Sequence, residues 1–344
     1  MQDVLAILVK GETLDRKQAE HAFDQVMSGA ATPAQIGAFL GMMQLRGLAL
    51  DELVGGVTVM RRCLVPVNVP DGLTVIDTCG TGGTHSTFFN ISTTTAIVAA
   101  AVGRPRGVVV AKHGNRSVTS TSGSANVLGE LGVTVPAEPD VLTRCLDEAG
   151  LCFCFAPAHH PAMKHAGPVR KELAFRTIFN LLGPLTNPAG ATRQLLGVPD
   201  REIAQLIAST LKELHTDEAM VVTTQLPDGR HLGELTNCAP VTVEHLRGGR
   251  IDQFTLDPAE LGLPLTVPDA VSIDSPAQSA AIIRTVLAGD EHPAREIVLL
   301  NTAAALIIAG LTEDWREGMT LAAEALDSGA AQRVLDTLVK LTAA

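Results

Sequence analysis

The sequence predicts an α/β protein in which a small all-helical domain precedes a large α/β domain with a mostly parallel central sheet flanked by helices. Three observations support this fold class. The first 67 residues carry only helix patterns, strand and helix patterns alternate from residue 68 onward, and a glycine-rich turn follows the first strand pattern. A chain of 344 residues, 46% of them hydrophobic, is long enough to form two such units with substantial cores.

Four helices are expected in the N-terminal stretch. Thr32 is followed by Pro33, and Asp51 is followed by Glu52, and these residue types cap and begin helices. The expected helices span residues 3–8, 15–28, 32–46 and 51–62, and a connector follows at 66–71.

Strands and helices alternate after this connector, as is typical of a largely parallel sheet. The expected strands are 73–76, 108–111, 151–155, 221–222 and 241–246. The expected helices are one with its body at 96–101, and others at 126–131, 277–287, 293–309, 314–328 and 330–341.

A glycine-rich turn joins the first strand to a helix that begins near Asn90. Glycines allow the backbone to approach a ligand closely, and the free amide groups at a helix start favour an anion. Hydroxyl groups from Thr81, Ser92 and Thr93 add further donors or metal-facing oxygens. The turn therefore predicts a phosphate site, although by itself it is equally compatible with a tight connection that binds nothing. It matches neither the P-loop nor the dinucleotide fingerprint.

A second polar turn follows the second strand. It contains Lys112 and Arg116, and hydroxyl residues fill most of 117–124. Two such turns at the carboxyl edge of a sheet suit a polyanionic ligand, because ligands of open α/β sheets bind at that edge.

Charge and cysteine usage exclude several classes of protein. A net charge of −11 argues against a surface for nucleic acid or for an anionic membrane. The six cysteines have neither Cys-x-x-Cys pairing nor zinc spacing, so we interpret them as reduced thiols of a cytoplasmic protein. The N-terminus lacks a signal-peptide pattern, and no apolar run is long enough to span a bilayer.

A third motif block occupies residues 159–188 and contains Arg170 and Arg176. Because these arginines are six residues apart, they face different directions on a helix, so one of them can bind a ligand while the other is structural. Together with the glycine turn and the Lys-His-Gly-Asn-Arg run at 112–116, the run at 176–188 resembles the anthranilate phosphoribosyltransferase family. The resemblance extends over nearly the whole chain, including the segment 297–306.

The resemblance implies a helical domain at 1–67, to which residues 165–185 return, and a large domain formed by 68–164 and 186–344. It also implies a homodimer formed through the helical domain. The implied reaction joins the nitrogen of anthranilate to C1 of phosphoribosyl pyrophosphate (PRPP) and releases pyrophosphate, which is an early step of tryptophan synthesis.

The resemblance also assigns roles to individual residues. The residues implied to hold PRPP are Gly80, Thr81, Gly82, Gly83, Asn90, Ser92, Thr93, Lys112 and Ser124. Those implied to bind anthranilate are His113, Asn115, His160, Arg170, Gly183 and Pro184, with Arg170 on the carboxylate. Lys112, Arg170 and Asn115 are the implied catalytic residues, and Ser92 and Glu234 are the implied ligands of Mg²⁺.

The glycine turn departs from the family pattern. Family members usually read Gly-Thr-Gly-Gly-Asp-Gly, whereas Thr84 and His85 stand at the last two positions here. Phe88 also replaces a Thr that is common two residues before the Asn. We therefore expect this turn to contact PRPP differently.

The metal motif departs as well, because Gly233 and Glu234 align with the usual Asp-Glu pair. With one carboxylate missing here and another at position 84, at least one of two magnesium sites should be weak. Gly233→Asp is then expected to lower the magnesium concentration needed for half-maximal rate. Asp228 and, less favourably, His231 are alternative ligands.

Two other functions remain compatible with the sequence. One is a diverged phosphoribosyltransferase or nucleoside-phosphorylase-like enzyme that uses another aromatic acceptor. The other is a non-catalytic binding protein of the same fold. Retention of His113, Asn115, His160 and Arg170 favours an anthranilate-like carboxylate, and retention of both phosphate turns favours an enzyme.

Overall fold

The structure is a computed structural model that describes residues 1–82, 87–116 and 121–343. In this part of the chain the α-helices are α1 (Gln2–Leu8), α2 (Arg16–Met27), α3 (Pro33–Arg46), α4 (Leu50–Arg62), α5 (Ile91–Gly103), α6 (Ser124–Glu130), α7 (Pro139–Arg144), α8 (Ala156–His159), α9 (Gly167–Leu173), α10 (Phe179–Leu182), α11 (Arg201–Glu213), α12 (Pro276–Leu287), α13 (Ala294–Ile308), α14 (Trp315–Asp327) and α15 (Ala330–Thr342). The strands are β1 (Thr74–Gly80), β2 (Val108–Gly114), β3 (Leu151–Phe155), β4 (Arg193–Gly197), β5 (Glu218–Gln225), β6 (His231–Leu232), β7 (Val241–Arg247) and β8 (Arg250–Leu256).

The four N-terminal helices form close to the expected ranges, although α4 begins at Leu50 with Ala49 as its cap and contains Asp51 in its first turn. Asp15 and Thr32 each close a capping box at the start of α2 and α3. Glu52 is fully buried in α4, where it accepts hydrogen bonds from the amides of Leu14 and Ala49 and pairs with Arg46. This carboxylate therefore joins the start of α2, the end of α3 and the start of α4.

A second chain segment packs on these helices. The ring of Phe23 in α2 meets those of Phe39 in α3 and Phe179 in α10 edge-on, with centroids 5.4 and 5.7 Å apart. Leu182 of α10 lies in the same buried cluster. The segment that carries α9 and α10 thus shares the core of the helical bundle.

The strands form one mixed sheet in the order β3-β2-β1-β4-β5-β7-β8, and β6 pairs with the end of β5. Neighbouring strands from β3 to β5 are parallel, whereas β5, β7 and β8 pair antiparallel. The carboxyl ends of β1, β2, β3 and β4 consequently meet at one edge of the sheet.

Alternate residues of the central strands enter cores on opposite faces of the sheet. In β5, Met220 and Val222 pack with α13, whereas Ala219 and Val221 face α11 and belong to the core that continues into the helical bundle. Helices α5, α14 and α15 contribute to a third cluster, which packs with β1, β2 and β3.

Several elements differ from the sequence expectations. The strand expected at 221–222 is the eight-residue β5, and the helix expected from 126 begins at Ser124. The helix expected to begin near Asn90 begins at Ile91, which agrees with the expectation. Strand β4 lies beside β1 in the middle of the sheet but was not predicted, because its pattern begins with Arg193 and Gln194. Helix α11 was also missed. No helix in the described ranges is long and apolar enough to cross a membrane.

Candidate active site

Both predicted turns lie at the same edge of the sheet. Strand β1 ends at Gly80, and the adjacent parallel strand β2 ends at Gly114. Helix α5 begins at Ile91 after the first turn, and α6 begins at Ser124 after the second. Parallel strand pairing therefore brings together residues that the sequence separates by more than 30 positions.

Lys112 lies at the centre of this edge. Its side chain is almost fully buried, and Nζ donates to the carbonyl oxygen of Thr78 at 2.6 Å and to Oγ of Ser92 at 3.1 Å. Burial lowers the pKa of this ammonium group, and the nearby carboxylates of Asp77 and Glu234 oppose the shift. One cation thus connects the end of β1 with the first turn of α5.

Asp77 of β1 organises the neighbouring backbone. Its fully buried carboxylate accepts from the amide of His113 at 3.1 Å and from Nδ2 of Asn187 at 2.8 Å. The same Asn187 amide group donates to the carbonyl of Ala111 at 2.7 Å. Burial raises the pKa of Asp77, while Lys112 opposes that rise. This network fixes the position of β2 relative to β1 where the two strands reach the site.

The glycine turn approaches β4 closely. The amide of Thr81 donates to the carbonyl of Gly197 at 2.9 Å, and a Cβ on Gly80 would lie 3.2 Å from the same oxygen. Gly82 has a φ of +64°, which favours glycine. Gly83, Thr84 and His85 lie outside the described residues.

Asn90 connects three segments around the start of α5. Its Nδ2 donates to the carbonyl of Ser122 at 3.1 Å, its Oδ1 accepts from Oγ of Ser279 at 2.8 Å, and its amide donates to that Oγ at 3.0 Å. Asn90 therefore holds α12 and the second turn against the first. Of its neighbours, Ser92 is partly exposed, whereas Thr93 is buried and its hydroxyl has no hydrogen-bond partner among the described residues.

The structure places His113, His160 and Gly183 together. The two imidazole centroids are 5.2 Å apart, and the backbone of Gly183 lies within hydrogen-bond reach of His113. Burial lowers the pKa of His113 to about 3 and that of His160 to about 4, with neighbouring histidines adding to both shifts. Both rings are therefore neutral near pH 7. Pro184 is buried, and its carbonyl accepts from Nε2 of Gln194 at 2.8 Å.

Arg170 is a positively charged residue of helix α9. Its half-buried guanidinium lies 5.4 Å from the centroid of the Phe179 ring, and burial lowers its pKa. No described carboxylate forms an ion pair with it.

Asn115 is exposed at the end of β2, where its Oδ1 accepts from the amide of Arg116 at 2.7 Å. Ser124 begins α6 and is partly exposed beside Gly114.

Ser92 and Glu234, the two residues implied to bind Mg²⁺, both lie near Lys112. Ser92 bonds Nζ directly, and burial raises the pKa of Glu234 to about 7 against the opposing charge of Lys112. No group of three or more His, Cys, Asp or Glu side chains in the described ranges is arranged to hold a metal. These residues fit a Mg²⁺ ion that takes most ligands from substrate phosphate and water. Asp228 is exposed and pairs with Arg230 at 2.7 Å.

Gly233 cannot simply be replaced by Asp. A Cβ at this position would lie 2.9 Å from both the carbonyl carbon of Gly197 and the amide nitrogen of Val198, so the two backbones touch. Whether Gly233→Asp lowers the magnesium requirement stays a prediction, but the substitution would have to displace backbone next to Glu234.

Four residues of this edge received no role from the sequence. Asn187 lies in the run at 176–188 and Asp77 directly follows the first predicted strand, but only the fold shows that they bond each other. Ser279 lies 189 positions from Asn90, and no local pattern marks it. Arg176 donates from Nη1 to the carbonyl of Gly82 at 2.9 Å, a contact that its position on a predicted helix did not indicate.

Family models match most of the chain. Residues 2–63 match the helical bundle domain of a glycosyl transferase family, and residues 72–332 match the α/β domain of a glycosyl transferase family.

Curated relatives match over almost the full length. The anthranilate phosphoribosyltransferase of Methylorubrum extorquens strain PA1 is 47% identical over 338 residues, covering 98% of this chain and 97% of that protein. That of Rhodopseudomonas palustris strain HaA2 is 46% identical, with 99% and 98% covered.

Solved structures also match over almost the full length. The crystal structure of anthranilate phosphoribosyltransferase from Thermus thermophilus has a TM-score of 0.89 at 36% identity, covering 99% of this chain and 100% of the other. The Saccharomyces cerevisiae enzyme in complex with PRPP and Mg has a TM-score of 0.88 at 25% identity, with 99% and 97% covered.

Proposed function

The chain belongs to the anthranilate phosphoribosyltransferase family of glycosyl transferases, and from that membership we propose how its own residues transfer the phosphoribosyl group of PRPP to anthranilate. The observation that carries the proposal is the buried Lys112, which donates to Thr78 and Ser92 where the two polar turns meet. A buried cation in this place suits a polyanionic substrate, because it is already desolvated before the substrate arrives.

PRPP occupies the two turns in this proposal. The glycine turn at Gly80–Gly83 and the start of α5 at Asn90, Ser92 and Thr93 surround its phosphates, with Ser124 on the side of the second turn. Asn90 acts mainly by holding these segments together, because both ends of its side-chain amide already bond protein atoms.

Anthranilate occupies the neighbouring side of the site. The guanidinium of Arg170 binds its carboxylate, and the neutral rings of His113 and His160 line the space beside Gly183 and Pro184. Because both imidazoles are neutral, the positive charge that orients anthranilate comes from Arg170. Asn115 reaches this space from the end of β2.

The reaction needs no covalent intermediate with the protein. The lone pair of the anthranilate nitrogen forms the N–C1 bond, the C1–O bond breaks with its electron pair passing to pyrophosphate, and the nitrogen releases a proton. Positive charge develops on the ribose, as in glycoside hydrolysis. The protein contributes by holding both substrates in line and by placing the charge of Lys112 near the departing anion.

We assign the magnesium role to Glu234 and Ser92. A bound Mg²⁺ would neutralise pyrophosphate charge. Burial raises the pKa of Glu234 to about 7. A bound Mg²⁺ would be a second cation near this carboxylate, in addition to Lys112, and would favour its ionised form, which is the form that binds metal. With one protein carboxylate in place of two, we expect the protein to bind free magnesium weakly and substrate-bound magnesium better.

Assembly and location complete the proposal. We propose that residues 1–67 and 165–185 form the small domain, that 68–164 and 186–344 form the large one, and that the protein is a cytoplasmic homodimer. Exposed Leu45, at 91%, and Val9, at 72%, support a protein contact on the helical domain.

The test is a fluorescence assay of anthranilate consumption by the purified protein with PRPP over a range of magnesium concentrations, with pyrophosphate release measured in parallel. Magnesium-dependent turnover with equal amounts of anthranilate consumed and pyrophosphate released is the expected result. A folded protein that binds PRPP but consumes no anthranilate would contradict the proposal and would point to another aromatic acceptor.

A further inference from the structure

Arg176 extends from the helical side of the molecule to the glycine turn. It lies between α9, which carries Arg170, and α10, and its Nη1 donates to the carbonyl of Gly82 at 2.9 Å. The two residues are 94 positions apart in sequence. A single side chain therefore connects the segment of the acceptor side with the turn of the phosphate side.

The charge of Arg176 has no protein counter-ion in contact with it among the described residues. Burial lowers its pKa, and Asp200 opposes that shift only through longer-range attraction. The remaining N–H groups of the guanidinium make no hydrogen bond or ion pair with any described residue. Two other partly buried arginines differ in this respect, since Arg46 pairs with Glu52 and Arg193 pairs with Glu218.

A partly buried guanidinium without a carboxylate is costly unless an anion completes it. The turn that Arg176 touches is the one proposed above to hold the phosphates of PRPP. A planar guanidinium can bond a backbone carbonyl through one nitrogen and still present other N–H groups to a phosphate.

We propose that Arg176 binds the pyrophosphate group of PRPP with the N–H groups that Gly82 does not use. This inference rests on the proposed function. It adds Arg176 to Lys112 as a second protein cation near the departing pyrophosphate, whereas Arg170 binds the carboxylate of anthranilate. When the C1–O bond breaks, the electron pair passes to a pyrophosphate oxygen, and Arg176 stabilises the charge that develops there.

Calorimetric titration with inorganic pyrophosphate and magnesium tests this assignment directly, together with steady-state kinetics of the same proteins. Arg176→Gln should weaken pyrophosphate binding and raise the KM for PRPP by about tenfold or more, while the KM for anthranilate changes less than about threefold. Arg170→Gln should instead raise the KM for anthranilate strongly and change the KM for PRPP much less. Arg176→Lys, which keeps the charge, should recover much of the lost affinity.

Arg106→Gln is the matched control. Arg106 also donates from Nη1 to a backbone carbonyl, that of Val102 at 2.7 Å, but it lies at the other end of α5 from the site. Its variant should bind pyrophosphate as the unmodified protein does.

Three results would overturn the inference. One is an Arg176→Gln protein that binds pyrophosphate as well as the Arg106→Gln protein does. Another is an equal loss in the Lys and Gln variants, since charge would then not matter. The third is an equal loss of affinity for ribose 5-phosphate and for pyrophosphate, which would indicate that Arg176 only holds the turn. The titration with pyrophosphate needs no anthranilate and no turnover. If the unmodified protein shows no turnover, the proposed function is contradicted, but the titration still tests whether Arg176 binds pyrophosphate.

Discussion

At position 233 the backbone leaves no room for a side chain. The close approach of Gly233 to Gly197 is reciprocal, since a Cβ on Gly197 would lie only 1.6 Å from the carbonyl oxygen of Gly233. The residue before Glu234 therefore has a steric reason to be glycine in this chain. The close packing of two turns at this position is independent of any role that the missing carboxylate would have in binding metal.

We predict that Gly233→Ala destabilises the protein by about 1–3 kcal/mol, because the new methyl group must displace backbone rather than a flexible side chain. Urea unfolding followed by circular dichroism measures the change. Gly129→Ala is the control, since a Cβ there meets no atom within 4 Å and the residue lies within helix α6. That variant should be neutral or slightly more stable. Equal stability of the two variants would contradict the steric argument.

Helix α12 packs against the proposed phosphate side of the site although it carries none of the sequence motifs. The segment before it pairs with the end of the glycine turn, where the amide of Phe89 donates to the carbonyl of Val271 at 3.1 Å and the amide of Ile273 donates to that of Thr87 at 2.6 Å. Ser279, in the first turn of α12, then bonds Asn90 through both donor and acceptor. The helix thereby fixes where α5 begins.

We predict that Ser279→Ala raises the KM for PRPP several-fold while changing the KM for anthranilate much less. The substitution leaves Oδ1 and the amide of Asn90 without their partner, and an unsatisfied buried polar group costs about 1–3 kcal/mol. Steady-state kinetics with each substrate varied in turn measures the effect. Thr285→Ala on the same helix is the control, because that hydroxyl bonds only the carbonyl of Ala281 in its own helix. Similar kinetics for both variants would mean that α12 does not position the site.

For the whole molecule, local signals in the sequence were sufficient for the fold class and for the main helices. Thr32 and Pro33 marked the start of α3, and short apolar runs marked β2 and β3, because these features act within a few residues. Strand β4 was not predicted because its burial depends on contacts outside the strand. Gln194, for example, is buried with its side-chain amide donating a hydrogen bond to the carbonyl of Pro184. The contacts of Arg176 and Ser279 were not predicted for the same reason. Arg176 bonds a residue 94 positions away, and Ser279 bonds a residue 189 positions away.

The two units recognised by the family models share one hydrophobic core. Phe23, Phe39 and Leu53 of the helical bundle belong to the same buried cluster as Val221 of β5 and Ile207 of α11. Apolar contacts of this kind couple the stability of the units, because unfolding one would expose the apolar surface of the other to water.

We therefore predict that the helical bundle and the sheet unfold in one transition. Trp315 is the single tryptophan of the chain and lies in α14, outside the bundle, so its fluorescence reports on the α/β part, whereas circular dichroism reports on all helices. Phe23→Leu removes a buried ring from α2 and should lower the urea midpoint of both signals equally, by a destabilisation of about 1–3 kcal/mol. Phe175→Leu makes the same change at a ring that is 45% exposed and should leave both midpoints in place. A Phe23→Leu protein whose circular dichroism changes early while the Trp315 midpoint stays constant would show that the shared core does not couple the two units.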